Sequence, residues 1–208
     1  MLYNQFMESE KELHQLIRSR RAIRRYQDRP VSREVIERLL KTALWSPSAH
    51  NRQPWRFTVL TDIDVKERLA QVMGERLYQD RLIDGDPVED IERDVARSRT
   101  RITGAPVVIV VFLSMSDMDS YSDVRRSRAE HTMAVQSVAM AAQSLWLLAH
   151  DEGLGACWLC APLFVPDLVR DLLSLPYDWE AQGLMTLGWP AEKRSKTRRP
   201  WQDSVRFY

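Results

Sequence analysis

Ser46–Phe57, SPSAHNRQPWRF, is the stretch on which the reading of this chain turns. It gathers serines, prolines, an asparagine, a glutamine and a histidine, with little apolar content before Trp55. Upstream, Val35, Ile36, Leu39, Leu40, Ala43 and Leu44 recur at spacings of three and four. That spacing predicts a helix beginning near Pro30, with Ser32 as N-cap and Glu34 in its first turn. Downstream, Trp55, Phe57 and Val59 alternate with Arg56, Thr58 and Leu60, which predicts a strand with one buried face. A polar loop between two rigid elements is a common place to hold a ligand. Taken alone, it fits a plain polar connector equally well.

The wider composition narrows the classes. A chain of 208 residues, 44% hydrophobic, suits one globular domain over residues 1–208. Its 30 basic and 29 acidic residues nearly cancel, which argues against a structural or RNA-binding role for the arginine clusters. Two cysteines and a highly charged start, MLYNQFMESEKELHQ, predict a reducing, cytoplasmic setting. No apolar run approaches the roughly 18 residues of a membrane span.

Ser9–Ile17 reads as a helix capped by Ser9 and leads into RSRRAIRRY. Arg18, Arg20, Arg21, Arg24 and Arg25 there are either a solvated basic face or an anion clamp. Ile23 and Tyr26 among them imply partial burial. Asp64–Met73 is expected to be a third helix. Residues 75–103 are highly charged, interrupted by Asp84-Gly85-Asp86-Pro87, and read as exposed helices or a lid-like excursion that could cover a pocket. Val107–Leu113, VVIVVFL, is a fully buried strand.

A long helix is expected from Val124 to about His150, apolar on nearly every face after Met133. Such a helix must be covered on all sides, by the monomer core or by a second subunit. Gly153 ends it. Leu154–Leu159 is a strand, a helix lies near Pro166–Leu173, and Gln182–Trp189 is another strand. The tail is basic again, with Lys193, Arg194, Lys196, Arg198 and Arg199. Helices and strands alternate without regular βαβ spacing, which favours α+β or mixed α/β.

Most familiar chemistries lack their motif. Cys157 and Cys160 have thioredoxin spacing but fall on an apolar strand rather than at a helix N-terminus, against a dithiol role. The histidines His14, His50, His131 and His150 are scattered, so no metal site is expected. GxSxG, P-loop and GxGxxG patterns do not occur. His50 is a candidate acid or base, or simply a polar loop residue. The two basic segments and the loop would, if they met, make a phosphate-plus-ribityl or nucleotide site without a glycine cradle.

Three segments in register carry a resemblance. Arg20–Tyr26 resembles the RRSxRxF start of the FMN-dependent nitroreductase family, Ser46–Phe57 its APSxxNxQPWxF, and Gly153–Trp158 its GLGxCW strand. Within that family the chain is similar to the C-terminal FMN-binding domain of bifunctional coenzyme F-420:L-glutamate ligases. That likeness rests on Ala129–Met133, Ala105–Ile109, Gly153–Val169 and Asp178–Glu180. The resemblance implies an α+β fold with a mixed central sheet flanked by helices, FMN as cofactor, and a homodimer with the long helix and the FMN sites at its interface.

It also implies roles. Arg20 and Arg21 would contact the FMN phosphate and ribityl chain, and Arg24 would lie near flavin N1 and O2. Ser48 and Asn51 would come from the partner subunit. Leu159, Cys160 and Ala161 would lie along the isoalloxazine edge, and Arg198 or Arg199 would close on the phosphate. Asp80 is a loose candidate for a second, deazaflavin-like ligand. Two departures stand out: Ala22 replaces the usual Ser, and Cys160 stands where Gly is common. The implied activity is ping-pong hydride transfer from a reduced nicotinamide (NAD(P)H) or deazaflavin, through FMN, to a small conjugated acceptor, with no catalytic side chain. Reduction of a dehydro form of an F-420 precursor, and non-enzymatic FMN storage, remain alternatives.

Overall fold

The computed structural model describes residues 12–208. Residues 12–19 are helical (α1), and the cap expected at Ser9 lies outside the described residues. The elements that follow are α2 (Arg33–Ala43), β1 (Trp55–Leu60), α3 (Ile63–Ile83), α4 (Val88–Thr103), β2 (Val107–Ser114) and α5 (Val124–Asp151). The chain continues with β3 (Gly155–Leu159), α6 (Pro166–Leu172) and β4 (Trp179–Gly188).

The four strands form one sheet in the order β1-β2-β4-β3, every pair antiparallel. β2 is buried at every position, as its unbroken apolar run demands. Because side chains alternate along a strand, Val107, Ile109, Val111 and Leu113 join one core with α2 and α5. Val108, Val110 and Phe112 join the other, with α3, α4 and α6. The mixed character expected of the sheet comes from one parallel bridge, Ala22 to Ala156, where the arginine segment lies along β3.

The charged region beyond Met73 is a packed helical hairpin. α3 runs ten residues past its expected end, and the expected breaker is the turn, with Gly85 at φ 82°. Leu69, Met73 and Ile102 anchor the hairpin in the core under α3 and α4. Arg81 staples its turn end, donating to Asp86 at 2.5 Å and Asp94 at 2.6 Å.

α5 starts at Asp123, whose carboxylate accepts from the Arg126 backbone N–H at 2.9 Å. It ends at Gly153, φ 76°, where Leu154 N–H donates to Ala149 O at 2.8 Å. Val138, Ala141, Leu145 and Ala149 pack in the core with the sheet. Gln136, Ala139, Met140 and Gln143 form an outward stripe, so within one chain the helix is covered on one side only. Contrary to the expectation that no apolar run approaches a membrane span, α5 is long and apolar enough by length and composition to meet that criterion. Its buried face instead packs on the sheet.

Candidate functional site

The arginine segment is built as an extra edge of the sheet. Ile23 N–H donates to Ala156 O at 2.9 Å, and Gln27 N–H to Trp189 O at 2.8 Å. Ile23 sits over Gly155, where an added Cβ would lie 2.7 Å from its Cγ2, so only glycine lets the segment dock this closely. The Tyr26 hydroxyl donates to Ile23 O at 2.6 Å and lies 2.7 Å from Thr186 Oγ1. Burial raises the Tyr26 pKa far above its ordinary value, against the opposing pull of Thr186, so this clamp stays protonated. With alternate residues turned into the core, the arginines between them are held at fixed places along β3.

The two basic ends of the chain meet here. Arg24 N–H donates to Glu192 Oε1 at 2.7 Å, and Ala191 N–H to Arg25 O at 2.9 Å. Arg21 Nη2 lies 3.4 Å from Lys196 O. Burial lowers the Arg20 pKa, and the nearby guanidinium of Arg198 adds to the effect, followed by Arg21. Arg198 is thus near enough to the segment for its charge to act on Arg20. Arg199, the other candidate, has no contact with it among the described residues.

A further arginine joins this group from α4. Arg101 makes no hydrogen bond or ion pair among the described residues. Its helical neighbours Arg93, Arg97 and Arg99 are each paired with a carboxylate. Burial lowers its pKa, and Arg24 beside it is the next cause. Arg20 Nη1, Arg21 Nε and Arg24 Nε are buried N–H groups without an acceptor. Buried donors are normally satisfied, and buried like charges repel. What is missing from this cluster is a group that only accepts and carries negative charge. A flavin nucleotide, with a phosphate and an electron-rich pyrimidine edge, has that chemistry, so the residues present fit FMN. Sequence reasoning missed Arg101 because a basic residue in a charged helix looks like solvated surface. The one available signal was its spacing ahead of the buried β2 run, which puts it in the last turn of α4 facing the sheet.

The loop after α2 is rigid. His50, Asn51 and Gln53 all adopt positive φ, at 50°, 54° and 52°. Such backbone costs of order 1–3 kcal/mol per residue and persists only when surroundings impose it. Ser48 Oγ accepts from Gln53 N–H at 3.1 Å, Ala49 N–H donates to Ser137 Oγ at 3.1 Å, and Ser46 Oγ donates to Ser144 Oγ at 2.7 Å. Two of these bonds pin the loop to α5. Among the described residues no hydrogen bond or ion pair joins Ser48 or Asn51 to the arginine cluster. His50 makes no such contact either.

Past Leu159 the chain turns through Cys160 into a short 3₁₀ helix, Ala161–Phe164. Ala161, Phe164 and Val165 share a cavity of about 450 Å³ with Met73, Leu77 and Asp80. Asp80 accepts from Arg76 Nε at 2.7 Å. The structure therefore brings Asp80 and Ala161 to one cavity, with α3 as its far wall, while Leu159 and Cys160 do not line it. Cys160 is exposed, whereas Cys157 is buried, and burial raises the Cys157 thiol pKa despite nearby Arg24 and Arg101. A buried, un-ionised Cys157 fits the rejection of a dithiol role.

Fold and site define an α+β protein with a cluster of arginines along one sheet edge, a chemistry that suits a flat, anionic ligand. Residues 17–189 match the sequence pattern of the Nitroreductase family, and the chain belongs to that family. It is similar to a 5,6-dimethylbenzimidazole synthase of Rhodospirillum rubrum, 29% identical over 187 residues, covering 87% of this chain and 83% of that protein. A protein named NADH dehydrogenase from Thermus thermophilus is 28% identical, with 86% and 87% covered. A crystal structure described as a nitroreductase in complex with FMN, from Desulfovibrio desulfuricans, superposes with TM-score 0.71 at 27% identity, covering 92% of this chain and 94% of that one.

Proposed function

We propose that this protein is an FMN-dependent oxidoreductase that accepts reducing equivalents from a nicotinamide or deazaflavin donor and delivers them to a small conjugated acceptor. The observation that carries this reading is the arginine cluster: Arg20, Arg21 and Arg24 each have a buried N–H group without an acceptor among the described residues, and Arg101 stands unpaired beside Arg24. FMN, when bound, would supply the redox chemistry, taking a hydride from the donor and passing it on. Arg20, Arg21 and Arg198 would hold its phosphate and ribityl chain. Arg24 and Arg101 would present fixed positive charge to its pyrimidine edge, where negative charge accumulates on reduction. Preorganised charge in a site partly shielded from water is worth far more than the same charge in solution. Leu159, Cys160 and Ala161 would line the ring edge, and the acceptor would enter the cavity beside Ala161.

The outward stripe of α5 supports a homodimer, because a mostly apolar helix covered on one side needs a second cover. In that assembly Ser48 and Asn51, on the loop pinned to α5, would reach the other subunit's FMN. The rigidity of that loop suits such a role, since it would present both side chains without an ordering cost.

The cavity between α3 and the 3₁₀ helix favours a second reading, reduction of a dehydro form of a coenzyme F-420 precursor. It is roomy enough for a multi-ring ligand, and Asp80 stands on its wall. The test is direct. Purified protein should carry, or take up, one yellow FMN per chain, and it should turn over NADH or NADPH with an added acceptor. Protein that binds no FMN refutes the reading. FMN binding without turnover leaves the carrier function in its place. Titration of the FMN spectrum with nicotinamides and with oxidised and reduced F-420 separates the donors and acceptors.

A further inference from the structure

One orphaned donor lies outside the arginines. The indole Nε1 of Trp146, on α5, is buried and has no acceptor. The guanidinium of Arg20 lies over the ring of this same tryptophan, 4.0 Å from its centroid. Stacking fixes the plane of Arg20, and its buried Nη1, also without an acceptor, is thereby held beside the indole. One turn on, His150 points the same way and closes the wall, its Nε2 2.8 Å from Ser19 Oγ. Burial and then Arg20 lower the His150 pKa, so His150 adds no fixed charge to this corner.

All four orphaned buried side-chain atoms among the described residues are N–H donors, and none is an acceptor. A neutral hydroxyl ligand would bring donors of its own and leave some of them unmatched. A phosphate brings only acceptors, with several lone pairs at one point.

We infer that the Trp146 indole N–H is a phosphate ligand of the cofactor site, tying the phosphate end of FMN to α5. The inference rests on the FMN reading above and adds a residue to it. Trp146 then has two jobs: its face orients Arg20, and its edge donates to the phosphate. Because α5 also carries the loop Ser46–Phe57 through Ser144 and Ser137, one helix would hold the phosphate end of its own subunit's FMN and, through that loop, reach the FMN of the other subunit.

The test compares FMN with riboflavin, which has the same ring and no phosphate. Trp146→Phe keeps a ring under Arg20 and removes only the N–H. The expected result is at least about tenfold weaker FMN binding, the cost of a hydrogen bond to a charged group, with riboflavin affinity unchanged. Equal losses for both flavins, or no loss for either, overturn the proposal. A measurement on the unaltered protein guards against a misfolded variant. The Trp146 indole N–H resonance should move downfield with FMN or inorganic phosphate and stay in place with riboflavin. An indole resonance indifferent to phosphate also overturns it. If the unaltered protein does not prefer FMN to riboflavin, the FMN reading fails first, and that failure is visible before any variant is made.

Discussion

Arg101→Met should make the ligand-free protein more stable and the FMN complex weaker. The substitution keeps an unbranched apolar stem and removes the charge. In the free protein Arg101 has Arg24, Arg97 and Arg194 as like-charged neighbours and no acceptor among the described residues. At a partly exposed site, relief of that repulsion is worth about 0.5–1 kcal/mol. For a chain of this size that is a rise in Tm of about 1–4 °C. With FMN bound, the same guanidinium gains a partner, and its loss should cost about 1.5–3 kcal/mol, or roughly 10- to 150-fold in Kd. Differential scanning fluorimetry with and without FMN, and a flavin fluorescence titration, read both signs. Added salt should raise the Tm of the ligand-free parent and shrink its difference from the variant, since screening does what the substitution does. A lower Tm without ligand together with unchanged FMN affinity would refute the reasoning, because Arg101 would then be a structural residue whose partner had been overlooked.

Other consequences are equally open to measurement. Gly155→Ala places a Cβ 2.7 Å from Ile23 Cγ2, so it should cost about 1–3 kcal/mol of stability and loosen FMN by displacing the arginine segment; a lower Tm with intact FMN affinity would unlink the two. The His150 pKa is lowered by burial and Arg20, so the unfolded chain takes up the proton first as pH falls through about 6.5. The stability it contributes is present above that pH and lost below it, and His150→Gln should flatten this part of the stability–pH curve in denaturant titrations. Met140→Glu puts a charge on the outward stripe of α5. It should yield monomers by light scattering and weaken FMN binding with them, whereas a tight-binding monomer would remove Ser48 and Asn51 from the partner's site. Arg24→Ala should keep the fold and either weaken FMN or slow its reduction in stopped flow; an unchanged value for both takes Arg24 out of the site.

Much of the fold was legible in local pattern. The unbroken run of β2 could only be a strand covered on both faces, and the spacing in α2 could only be a one-faced helix. Asp84–Pro87 marked a turn, although the ends of α3 and β4 were misjudged. Those ends depend on packing: charged residues past Met73 continue a helix because α4 and the sheet support one of its faces. The arginine segment and the polar loop were conspicuous in sequence, but their meaning was ambiguous, since a basic run and a polar loop are ordinary surface features.

By itself the sequence determined the buried strand, the helix faces, the near-neutral charge and the three motifs that resemble nitroreductases. Each is a matter of residue type and short spacing, and short spacing is what hydrophobic periodicity and motif order report. Only the tertiary structure decided which arginines stand together. Arg101 comes to Arg24 across the sheet, Arg198 comes back to Arg20 from the tail, and Trp146 slides under Arg20 from α5. Charge and hydrogen-bond satisfaction are properties of neighbourhoods in space. A guanidinium in sequence is only a charged residue, and it becomes evidence of a missing anion when folding has buried it beside others and left its N–H groups without an acceptor.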